Sequence, residues 1–88
     1  MKEQKITLTI GDVELNFSVD SHHYDDYMNE MMPDNKVAPA HNFCFSTVDD
    51  ESKDKLREIT DSNPSAALQI SSAVQEKFAP KLAITVKK

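Results

Sequence analysis

The feature that most constrains this chain is an alternation built around its single glycine. Ile6, Leu8 and Ile10 alternate with Lys5, Thr7 and Thr9 on one side of Gly11-Asp12. Val13, Leu15, Phe17 and Val19 alternate with Glu14, Asn16 and Ser18 on the other. A two-residue period marks strands with one buried face. Gly-X between two such runs predicts a two-residue hairpin turn of type II′. That turn sets Ile10 opposite Val13, Leu8 opposite Leu15 and Ile6 opposite Phe17. All six then share one face, and a slip of one residue would turn a whole strand's apolar set to water.

A third alternating run closes the chain, with Leu82, Ile84 and Val86 set against Ala83, Thr85 and Lys87. A lone hairpin is marginal in water, so this run is expected to complete a three-stranded antiparallel sheet, beside either hairpin strand. The apolar face needs a cover, and the middle of the chain supplies helices. Asp20 or Ser21 suits a helix start, followed by Tyr24, Tyr27, Met28 and Met31 on one face, with Met28 and Met31 expected to pack on the sheet. Pro33 stops that helix. Pro39 fits the first turn of a second, on which Ala40, Phe43, Cys44, Thr47 and Val48 follow helical spacing. Asp49 or Asp50 can cap a third helix through about Thr60, with Leu56 and Ile59 inward. Asn63-Pro64 reads as cap and first position of a fourth, whose inner face is Ala67, Ile70, Val74 and Phe78. Pro80 ends it. The predicted fold class is α+β: an N-terminal β-hairpin and a C-terminal strand in one sheet, with one face covered by about four short helices.

Eighty-eight residues make one domain, 1–88, with a thin core. The net charge of −5 disfavours nucleic acid and anionic membrane surfaces, and no basic stripe is present for phosphate binding. No run approaches a membrane span, and Met1-Lys2-Glu3-Gln4-Lys5 lacks the apolar segment of a signal peptide. One cysteine allows no internal disulfide, which fits a reducing cytoplasmic setting.

Catalytic and metal constellations are weak. His22, His23, Asp25, Asp26 and Glu30 form the most metal-like cluster, and His22 and Asp26 lie four apart on a helix. Two ligands at that spacing do not make a zinc site, and a solvated helix face is the simpler reading. His41 and Cys44 are three apart, but Cys44 falls on the apolar stripe of its helix, where a thiol is buried and inert. There is no Gly-rich phosphate loop and no Gly-x-Ser-x-Gly elbow. No catalytic residue, metal or cofactor is expected, and an enzyme is not.

Binding chemistry is better represented. Met28, Met31 and Met32 cluster beside Pro33, and Met-rich surfaces adapt to varied apolar partners. Met32 and Phe45 lie off the main apolar stripes. The candidate protein-binding surface is therefore Met31, Met32, Pro33, Asn35, Lys36, Val37, Pro39 and Phe45. The hairpin sheet also has an unpaired edge, which could pair with a second copy and give a homo-oligomer.

The run Asn29-Glu30-Met31-Met32-Pro33-Asp34-Asn35-Lys36-Val37-Ala38-Pro39-Ala40-His41-Asn42-Phe43 resembles the small tail assembly chaperones of long-tailed bacteriophages and prophages. The resemblance extends from Lys5-Ile6-Thr7-Leu8-Thr9-Ile10 to Ile84-Thr85-Val86-Lys87-Lys88. It implies a non-catalytic protein of the host cytoplasm that binds the tape measure protein and keeps it soluble until tail tube subunits displace it. It also implies a longer form made by ribosomal frameshifting, for which adjacent Lys87 and Lys88 codons would offer an A-rich slippery run. The alternative is a small homo-oligomeric adaptor, or a structural or regulatory protein-binding domain of a prophage.

Overall fold

The computed structural model describes residues 3–87. Met1, Lys2 and Lys88, which enter the readings of the N-terminus and of the slippery end, lie outside them. The hairpin forms as its alternation predicts. Strands β1 (Gln4–Ile10) and β2 (Val13–Val19) pair antiparallel, with Ile10 opposite Val13, Leu8 opposite Leu15 and Ile6 opposite Phe17. Gly11 has φ +61° and Asp12 does not have a positive φ, the combination a type II′ turn requires. Ile6, Leu15, Phe17 and Val19 are buried. On the opposite face, polar pairs cross between the strands. Lys5 Nζ donates to Ser18 Oγ at 2.7 Å and Thr7 Oγ1 to Asn16 Oδ1 at 2.7 Å.

Four helices follow: α1 (Ser21–Glu30), α2 (Val37–Thr47), α3 (Lys53–Ser62) and α4 (Ala66–Phe78), with a 3-10 turn at Asp50–Ser52 before α3. Helix α1 is opened by a reciprocal cap. The His23 N–H donates to Asp20 Oδ1 at 3.0 Å, and the Asp20 N–H donates to His23 Nδ1 at 3.2 Å. A histidine thus fills the position usually held by Glu or Gln in a capping box. Helix α2 is the centre of the core and lies against α1, α4 and β2. Its Ala40, Phe43, Cys44 and Thr47 are buried, as the spacing predicts. Buried Thr47 keeps its hydroxyl satisfied by donating to Phe43 O at 2.8 Å. Leu56 of α3 and Ala67, Ile70 and Val74 of α4 complete the core, while Ile59 and Phe78 pack half-buried on its margin.

Three expectations about the helices need correction. Asp49 does not cap α3. Its carboxylate accepts from Ser18 Oγ at 2.7 Å, and its N–H donates to Asn16 O at 2.9 Å, so it serves β2 instead. Helix α4 begins at Ala66, because Asn63 Oδ1 accepts from the Ser65 N–H at 3.0 Å and holds Asn63–Ser65 as a turn. Met28 is exposed, because α1 packs on α2 rather than on the sheet and only Tyr27 turns fully inward.

The sheet has two strands among the described residues. Residues 80–87 are exposed and form neither helix nor strand. Leu82, Ile84 and Val86 are 72%, 77% and 86% exposed. Their alternation suits a strand, but at these exposures the segment packs on neither edge of the hairpin.

Candidate partner-binding surface

The junction of α1 and α2 is a compact turn. The Met32 N–H donates to Asn35 O at 3.2 Å and the Asn35 N–H to Met32 O at 3.1 Å, closing a loop over Pro33-Asp34. Pro33 fixes its own φ and favours this reversal. Around it, Met28, Met32 and Val37 are exposed large apolar side chains, Met32 and Val37 each at 53%. Pro33, Asn35 and Lys36 are exposed. Met31 is half-buried and packs against the core. The turn thus presents methionine side chains from a backbone that is itself hydrogen-bonded.

Pro39 and Phe45 sit differently from the rest of the expected surface. Pro39 is buried on the inner side of α2. Phe45 is half-buried, with the His41 ring stacked on it at 4.5 Å between centroids and the Arg57 guanidinium 5.6 Å from its centroid. Helical phase places Phe45 off the main stripe, and His41 of its own helix and Arg57 of α3 partly cover it. Met28, expected on the sheet, belongs instead with the exposed set, and its spacing of four from Met32 is the signal for it.

The histidines and the cysteine have structural settings. His22 Nε2 lies 3.5 Å from Asp26 Oδ2 on the exposed face of α1. Among the described residues no group of three or more His, Cys, Asp or Glu side chains lies close enough to hold a metal ion. The His23 N–H is the main cause holding the Asp20 carboxyl below its ordinary value. Cys44 is fully buried, its Sγ 3.5 Å from Ala67 O, and burial pushes its thiol up to about 12. A thiol so placed stays protonated near neutrality and is a poor nucleophile. His41 is occupied with Phe45.

A second surface was not anticipated. Between β1 and α4 runs an open groove of three adjoining cavities, about 520, 510 and 240 Å³. Lys5 is shared by the first two, and Leu8 and Ala73 by the last two, so the groove follows β1 from end to end. The expected third strand, beside either hairpin strand, would have covered one edge of the sheet, and no local pattern signals a groove here.

Residues 6–88 match the family model described as phage tail assembly chaperone. The chain belongs to the phage tail assembly chaperone family. It is 34% identical, over 85 residues, to an uncharacterized 11.3 kDa protein of the lys 3′ region of Haemophilus phage HP1, covering 97% of this chain and 82% of that one. Its fold is shared with the solved structure of an uncharacterised protein from Bacillus stearothermophilus, with a TM-score of 0.75 at 16% identity over 98% of this chain and 90% of that one. The family is one of assembly chaperones rather than an enzyme class. No helix among the described residues is long and apolar enough to cross a membrane.

Proposed function

We propose that this protein binds the tape measure protein of a long-tailed phage or prophage in the host cytoplasm and keeps it soluble while the tail is built. The family match over residues 6–88 carries this reading. The structure supports it with a partner surface of suitable chemistry. An elongated, largely apolar helical chain needs a cover that is adaptable on one side and soluble on the other. Met28, Met32 and Val37 provide unbranched or small apolar contacts on a fixed turn, and a body of net charge −5 keeps the assembly in solution. No cofactor, nucleic acid or membrane enters this function. A longer frameshifted form would act beside this one and hand the tape measure to the tail tube protein.

The test is co-expression with the tape measure protein, read as its soluble fraction and as co-purification. Met32→Ala with Val37→Ala should leave the fold intact and weaken capture by roughly tenfold or more, because truncated apolar anchors dominate such contacts. A tape measure protein that stays insoluble and uncaptured with the wild-type chain, in the presence of the longer form as well, rules the function out. Capture unaffected by the double substitution moves the contact away from the α1–α2 turn.

A further inference from the structure

One edge of the sheet is closed and the other is open. Beside β2, the Asp49 N–H donates to Asn16 O, the Asn16 N–H donates to Ser52 Oγ at 3.0 Å, and Val48 bridges to Phe17. Among the described residues the β1 edge has no such cover. A two-residue turn makes Ile10 and Val13 a hydrogen-bonded pair, and such pairs alternate along an antiparallel ladder. Lys5, Thr7 and Thr9 therefore turn both backbone groups outward. No backbone bond among the described residues reaches them. The groove against α4 lies directly beside these groups, and Leu8, Ile10, Ile70 and Ala73 give it an apolar lining.

The same chain carries a segment of matching form. Residues 81–87 are seven, as are those of β1. Leu82, Ile84 and Val86 would enter the groove as Lys81, Ala83, Thr85 and Lys87 face outward, beside Lys5, Thr7 and Thr9. The segment 80–88 has three lysines and no acidic side chain, which leaves seven Lys and Arg against fifteen Asp and Glu in the rest of the chain. Attraction between a basic tail and an acidic body favours contact.

The tail does not reach its own groove. Helix α4 runs antiparallel to β1, with Ile70 beside Leu8–Ile10 and Phe78 beside Glu3–Lys5. To fill that groove the chain would have to double back along the helix it has just left, within Ala79-Pro80. Pro80 biases Ala79 towards extended backbone, and Ala79 stands at φ −128°, ψ 71°. A short hinge of this kind, without glycine, favours exchange of the segment between identical copies.

We propose that residues 81–87 of one copy add as the third strand to the β1 edge of a second copy, reciprocally, giving a strand-exchanged dimer. The exchange pairs the outward groups of Lys5, Thr7 and Thr9 and buries Leu82, Ile84 and Val86. It rests on the edge, the groove and the tail alone, and not on the identity of the tape measure partner.

The experiment uses the purified chain without any partner. Sedimentation should show a dimer that dissociates on dilution. Hydrogen exchange should show the 81–87 amides protected in the dimer and unprotected once diluted. Ile84→Asp places a charge in the groove and should weaken the dimer by roughly a hundredfold or more, whereas Thr85→Asp, facing outward, should change it little. Thr7→Pro removes an outward N–H from the receiving edge and should weaken it from the other side. Both tail variants alter a segment that is exposed in the single copy, so they should fold normally. A chain that is monomeric at all concentrations, a dimer indifferent to Ile84→Asp, or equal loss from Ile84→Asp and Thr85→Asp would each overturn the proposal. Concentration-independent protection of 81–87 would do so as well, by placing the tail in its own groove.

Discussion

Leu15-Asn16-Phe17-Ser18-Val19 in β2 and Leu82-Ala83-Ile84-Thr85-Val86 in the tail are near-equivalent as sequence, each with three apolar residues at a spacing of two. In the folded chain they stand at opposite extremes. Leu15, Phe17 and Val19 are fully buried, and Leu82, Ile84 and Val86 are at least 72% exposed. The difference lies in what precedes each run. A two-residue turn delivers β2 to β1 at a fixed register. A helix and a proline deliver the tail to no edge of its own chain. Alternation specifies which side chains of a strand would be buried; the connection decides whether there is anything to bury them against.

Substitutions can break that comparison, beginning with the largest effect. Phe17→Ala removes a fully buried ring from the hairpin and should cost about 3–5 kcal/mol in denaturant unfolding, enough to unfold a chain of this size. Ser52→Ala tests the closed edge. It leaves the Asn16 N–H without its acceptor and should cost about 1–3 kcal/mol by the same measurement.

The Cys44 thiol gives a pH signature of the core. Its folded value, about 12, is above the ordinary 9.0. The stability it contributes is complete below 9 and declines as pH rises from there towards 12, where the unfolded chain ionises and the folded one does not. Thermal melts between pH 8 and 11 should show this fall in the wild type and a shallower one in Cys44→Ala. Asp20 gives the opposite limb. Its folded carboxyl lies below 3.8, so its contribution is present above that value and is lost as pH falls through the lower folded one. Asp20→Asn keeps a capping side chain and should flatten the acid limb of the melting curve. Smallest of all, Ile84→Ala measured in dilute monomer should shift stability by no more than about 0.5 kcal/mol. A loss as large as that of Phe17→Ala would mean that the tail is already packed in the single copy.

Much of the candidate surface was legible for the same reason the helices were. Pro33 had to end a helix, and the residues around a tight turn had to be exposed, so Met32, Asn35, Lys36 and Val37 could be placed from sequence. Phe45 could not, because part of its cover comes from Arg57, twelve positions on. Nor could Pro39, whose burial depends on how α2 seats in the core. Of the two candidate caps, Asp49 or Asp50, local pattern cannot exclude Asp49, because its partners, Asn16 and Ser18, are about thirty positions away in β2.

The sequence by itself determined the hairpin and its register, the number of helices and the inner faces of α2, α3 and α4, the burial of Cys44 and the family. These follow from local spacing, turn chemistry and residue order, which act within a few positions. Only the tertiary structure decided that β2 is closed by Asp49 and Ser52, that β1 is left open beside α4, and that the last alternating run lies outside the fold. Those outcomes depend on which backbone groups meet across the chain, and no local pattern records whether a strand's neighbour will be there.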